Sequence, residues 1–242
     1  MVRATLLRLP GQQKPASAAL RAAIMEVQGR LEKPIIFKDI SRHPHLSSGA
    51  VVQGYLELYG DKVTVWVDAG LPVSAQEAVA AHELAHLAQR LEGFPVAAAA
   101  DKSPSPDEDR LLARLNNLVL DDHADRWAVS RGFRIDRALQ AGKLGEIQAA
   151  IAALPTAAPK TAGSTDTSLA LTYAGLKIRL DRYGLFDELD RLWARRWPQV
   201  RLQGLSIVES LKSAPVFDAA SAANALNTVA ANLGIRIKLR FH

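Results

Sequence analysis

Apolar positions at helical spacing open the chain. Over residues 15–32, Leu20, Ile24, Val27 and Leu31 share one face, and Pro34 ends that pattern. Short β-prone runs follow at Ile35–Phe37, Val51–Tyr59 and Lys62–Asp68, the last two joined by Gly60-Asp61. Val63, Val65 and Val67 alternate with Thr64, Trp66 and Asp68, so a hairpin with one aliphatic face is expected. Ser74 with Glu77 three residues later forms a capping-box pattern that predicts a helix from about Ser74 to Leu91, stopped by Gly93. Residues 93–106 are small, Pro-containing and finally polar, the composition of a loop. Ser105, Pro106 and Glu108 then signal the start of a second helix that runs to about Ser130 and stops at Gly132.

Beyond Gly132 the periodicity predicts helices at about 136–153, 167–183, 186–196 and 217–232. Residues 154–166 have the composition of a linker, and Ile235–Phe241 alternates like a strand. No solenoid period is present. The order of helix, hairpin, two capped helices and a mainly helical second half gives an α+β chain. It divides into a first part, 1–133, and a mainly helical region, 134–242, which a single domain could also accommodate.

Composition narrows this little. Hydrophobic residues make up 48% of the 242 positions and charged residues 23%, enough apolar material for a core without covalent staples. The chain has no cysteine, which excludes disulfides, thiolate metal sites and a cysteine nucleophile. Charged residues interrupt every apolar run well short of the roughly twenty needed to span a bilayer. The first residues lack an apolar signal-peptide core. A cytoplasmic location and no membrane partner are the expectations. The net charge of +5 is spread, with densities at Arg191–Arg196 and Arg236–Arg240, and reads as solvated faces before it reads as a nucleic-acid surface.

The chemistry is concentrated in His82-Glu83-Leu84-Ala85-His86, an HExxH sequence. Residues four apart share a helix face, so both imidazoles can bind one zinc ion. Glu83 is rotated by about 100° from His82 and can serve as general base towards a water activated by the metal. The alternative is a solvated His/Glu surface. Against it stand Ala80, Ala81, Leu84, Ala85, Leu87 and Ala88, which make this helix apolar nearly all round. Two histidines and a glutamate on a buried helix need a partner that offsets their desolvation.

A catalytic zinc needs a third protein ligand. The next helix offers Asp121, Asp122, His123 and Asp125. Asp121 could bind the metal while Asp125, four residues on, supports a ligand histidine. Asp122 with Asp125 satisfies the periodicity equally well, so both remain open. Tyr173, Arg126 and His123 are conceivable oxyanion donors, but Tyr173 reads as core, Arg126 as a partner of an acid on its own helix and His123 as exposed. His43 and His45, flanking Pro44, read as a surface loop.

The run Asp121-Asp122-His123-Ala124-Asp125-Arg126-Trp127-Ala128 after HExxH resembles the E-x-E-A-N-x-F-A stretch of the ImmA/IrrE family of bacterial zinc peptidases, a gluzincin group. The same run, with Gly132-Phe133, also resembles gluzincins related to the CAAX-processing proteases. The first resemblance covers about residues 15–133 and implies a zincin-like domain with a small, mostly antiparallel sheet. It also implies His82, His86 and Asp121 as zinc ligands, Glu83 as general base and Asp125 behind a ligand. The family ligand is usually Glu where this chain has Asp. The zincin resemblance further implies an extended substrate bound along the strand beside the site, for which Lys62–Asp68 is the candidate edge.

The expected function is therefore zinc-dependent hydrolysis of a protein or peptide, with a regulatory protein as the substrate type the family implies. The alternative is a zincin-fold regulatory or binding module that keeps the metal and does little chemistry.

Overall fold

The computed structural model describes residues 8–44, 53–58, 60–100, 105–141, 164–213 and 215–241. Among them run helices α1 (Ala18–Gln28), α2 (Val73–Leu91), α3 (Pro106–Ser130), α4 (Ile135–Ala141), α5 (Ser164–Asp181), α6 (Asp187–Arg196), α7 (Pro198–Ser213) and α8 (Ala219–Asn232). The strands are β1 (Ile35–Asp39), β2 (Gly54–Glu57), β3 (Val63–Val67), β4 (Val96–Ala99) and β5 (Ile237–Arg240). The class is α+β. The chain forms two compact units, Met1–Ala88 with Ala124–Ile147, and Gln89–His123 with Gln148–His242. Both α2 and α3 run from one unit into the other. No helix among the described residues is long and apolar enough to cross a membrane.

In the first unit α1 starts at Ser17, whose hydroxyl accepts from Leu20 N, and buries Leu20, Ala23, Ile24 and Val27. The helix ends at Gln28, so Leu31 lies beyond it. The amide of Ser17 donates to Glu77 Oε1 at 2.7 Å. Glu77 therefore ties α2 to the start of α1, and the capping box expected with Ser74 gives way: α2 begins one residue earlier and Ser74 is its second residue. The carbonyl of Pro72 instead accepts from Ala75 N and Gln76 N.

Strands β1, β3 and β2 form a sheet in that order. The expected hairpin is present, with β2 antiparallel to β3 from Gly54↔Val67 to Glu57↔Thr64. Val51, Val52 and Tyr59, also read as strand, lie outside the described residues. β1 joins β3 in parallel, so the sheet is mixed. This corrects one expectation. Lys62–Asp68 contains β3, which is the central strand and not an edge. All five of its residues are buried. The alternation suggested one covered face, but Trp66 is covered as well: its indole N–H donates to Glu57 Oε2, Lys38 lies over its ring and His43 meets it edge-on. A strand covered on both faces belongs inside a sheet, and β1 and β2 are the edges.

In the second unit the loop expected at 93–106 contains β4, paired antiparallel with β5. Four small residues, Val96–Ala99, carry no strong strand signal; their backbone supplies it. Ala97 N donates to the Asn116 side-chain oxygen at 2.7 Å, and Asn116 Nδ2 donates back to Ala97 O at 3.0 Å. Ser105 caps α3 as its pattern predicts, its hydroxyl accepting from Glu108 N. Helix α7 was not anticipated from periodicity. It opens on Pro198 at its first position, and Gly204 interrupts its stripe for a packing reason. A Cβ at Gly204 would lie 2.4 Å from Tyr173 Cδ1 and 3.1 Å from Ala170 O, so the missing side chain lets α5 and α7 meet closely. Tyr173 there is fully buried against Phe186 and Trp193 and donates to Asp190 Oδ1. It is a core residue. The linker expected at 154–166 falls largely outside the described residues, as does most of the helix expected beyond Ala141.

Candidate metal centre

Helix α2 is buried because its side chains are small. Ala78, Ala80, Ala81, Leu84, Ala85, Leu87 and Ala88 are all core residues. Burying one such leucine is worth about 1.5–3 kcal/mol, and the alanines let neighbouring backbone approach. The HExxH residues are thereby held in a largely apolar wall, with His82 and Glu83 each 9% exposed.

The desolvation of His82 is offset from α3. His82 Nδ1 lies 2.7 Å from Asp125 Oδ1, and Asp125 is completely buried. A carboxylate beside Nδ1 favours the tautomer with the proton on that nitrogen. The Nε2 lone pair is then directed away from Asp125, where it meets His86. The two Nε2 atoms stand 3.1 Å apart, with the rings nearly perpendicular at 88°. Such a pair holds either a shared proton or a cation. Two nitrogens on a tetrahedral zinc, each about 2.0–2.1 Å from it, stand about 3.3 Å apart. The observed separation and the nitrogen–nitrogen–carboxylate donor chemistry fit that ion.

Asp121 lies one turn before Asp125 on the continuous helix α3. One ligand atom from each of His82, His86 and Asp121 lies within 4.8 Å of the others. Asp122, the next residue of the helix, pairs with Arg182. Of the two acids that periodicity leaves open, Asp121 thus belongs to a group that could hold a metal ion.

Glu83 is set by β2. A Cβ at Gly54 would lie 2.8 Å from Glu83 Oε1 and 2.5 Å from Val79 Cγ1, so only glycine lets the edge strand approach this turn of α2 so closely. Sequence reading passed over Gly54. Its one signal was a glycine inside a strand pattern, which often marks a close backbone approach.

The remaining candidates have other surroundings. His123 is half-buried and not exposed, its ring tilted at 49° to that of Phe94 with centroids 4.8 Å apart and its Nδ1 3.1 Å from Gln89 Nε2. Gln89 also donates to Leu120 O at 2.9 Å, so this cluster braces α3. Arg126 is half-buried, and burial lowers its pKa. His43 packs on Tyr55 and Trp66, while His45 lies outside the described residues. Arg179, which sequence reading did not single out, donates to Asp121 Oδ2 at 3.2 Å. It lies 58 positions from its partner, and no spacing rule could have found it.

Compared with protein-family models, curated proteins and solved structures, the chain finds no match.

Proposed function

We propose that this chain is a zinc-dependent peptidase of the zincin type, related to the ImmA/IrrE group by its HExxH helix and the carboxylate helix after it. The observation that carries the reading is the convergence of His82 Nε2 and His86 Nε2 at 3.1 Å, with Asp125 buried behind His82. His82, His86 and Asp121 would hold the ion. When bound, zinc supplies Lewis acidity, lowering the pKa of a water towards neutrality and polarising a carbonyl. Asp125 keeps the His82 ring oriented and in the tautomer that presents Nε2. Glu83 takes the proton of the attacking water and delivers it to the departing amine, work worth about 10²–10⁴-fold in rate. The apolar wall of α2 keeps bulk water from competing for that carboxylate.

The substrate class is a protein or peptide, with a regulatory protein suggested by the family resemblance, and the proposed place of action is the cytoplasm. The test is Glu83→Gln. This variant should bind zinc as the wild type does and lose cleavage across a peptide library. Cleavage that persists would remove the mechanism.

A second reading is a metal-holding regulatory module with little turnover. An aspartate at the third ligand position, where the resembling family usually has Glu, favours it. One zinc per chain with no turnover on any library would select this reading.

A further inference from the structure

We propose that Arg179 is a positioning residue for the metal centre, acting through Asp121 to strengthen zinc binding. The inference rests on the zinc reading above. Arg179 sits in the last turn of α5 and its Nη1 lies 3.2 Å from Asp121 Oδ2. The side chains of the pair are 26% and 15% exposed. In such shielded surroundings a charge-assisted hydrogen bond fixes geometry better than a solvated surface pair does.

The need for fixing comes from the residue type. An aspartate has a short side chain, so its carboxylate reaches a metal held by α2 only from a narrow range of orientations. A cation bound to one oxygen restricts the rotation that would lose it. Carboxylates that bind metals are commonly held in this way by outer hydrogen bonds. Three residues on, Arg182 holds Asp122. The two adjacent acids of α3 are thus pinned by different arginines, and Asp122 is kept from replacing Asp121.

The guanidinium also repels a divalent ion. The proposal requires that fixing the carboxylate outweigh this repulsion, and the two effects give opposite signs. The experiment is a zinc titration of the full chain against a competing chromophoric chelator, for wild type, Arg179→Ala, Asp121→Ala and the double variant. Arg179→Ala is expected to raise the zinc Kd about 10–100-fold. Because Arg179 acts through Asp121, the double variant should bind no more weakly than Asp121→Ala alone. Unchanged or tighter binding by Arg179→Ala overturns the proposal, and so do losses that simply add. Arg179→Gln, which keeps the stem of the side chain, carries the same test if the alanine variant does not fold. A wild-type chain that binds no zinc would instead remove the zinc reading itself, whereas a zinc-binding wild type with an indifferent Arg179→Ala removes this inference alone.

Discussion

The carboxylate of Asp125, wholly inaccessible to solvent, lies 2.7 Å from Nδ1 of His82 on a different helix. That contact solves a problem the helix sequence sets. An imidazole on an alanine-lined helix loses its hydration, and the carboxylate returns a hydrogen bond while directing the other nitrogen to His86. Asp125 is itself costly to bury, so each group depends on the other. Removing it should loosen the metal centre: Asp125→Ala is expected to weaken zinc binding about 10–100-fold, read by chelator competition. Affinity equal to wild type would mean that His82 is oriented by something else.

Zinc should also stabilise the fold. An ion that binds the native chain at a free concentration of 100 times its Kd adds about 2.7 kcal/mol, which for a chain of this size raises Tm by roughly 5–10 °C. Thermal melts with zinc and with a chelator measure this. The difference should vanish when His82 and His86 are both replaced by alanine.

Much of this arrangement was legible beforehand, and the part that was not has a physical cause. HExxH announces itself because the helical period puts its histidines on one face. Asp125 could be anticipated as a support for the same reason. The choice between Asp121 and Asp122 depends on how α3 is rotated against its neighbours, which periodicity fixes only to about one residue. β4 escapes a reading of side-chain pattern because its signal is backbone pairing with β5 and with the Asn116 side chain. The zincin resemblance implies an edge at Lys62–Asp68, whereas β3 lies between β1 and β2 with Thr64 and Trp66 both buried. Gly54 and Arg179 act through contacts distant in sequence.

Gly54 gives a prediction that needs no metal. Its place against α2 leaves no room for a methyl group, which would lie 2.5 Å from Val79 Cγ1. Gly54→Ala must push the edge strand outward or distort the helix, at a cost of about 1–3 kcal/mol. Chemical denaturation reads this directly. Val79→Ala opens the space, so the double variant should be less destabilised than the sum of the two single changes. Strict additivity would show that the strand yields without touching Val79.

Acid should act on the second unit through Asp190. Arg201 grips its carboxylate with two hydrogen bonds, Nε to Oδ1 at 2.7 Å and Nη2 to Oδ2 at 2.8 Å, and the buried Tyr173 hydroxyl donates to Oδ1 as well. The hydrogen bonds from Arg201, with a further one from Tyr173, outweigh burial and hold the Asp190 pKa below its ordinary value of 3.8. Arg201 is shifted upward by the same pairing, and Tyr173 is pushed above its usual range by burial first and then by its bond to Asp190. A carboxylate whose folded-state pKa is depressed binds protons more readily when unfolded. Its stabilising contribution is therefore complete above pH 3.8 and declines as pH falls through the lower folded value. Asp190→Asn should cost about 1–3 kcal/mol at neutral pH, the worth of hydrogen bonds to a charged group. Its deficit against wild type should shrink as the pH is lowered below about 4, because the wild-type carboxylate is then neutralised too. Urea denaturation of both proteins from pH 7 to pH 3 makes the comparison, and a deficit that stays constant across that range would show that the charge of Asp190 contributes nothing beyond its shape.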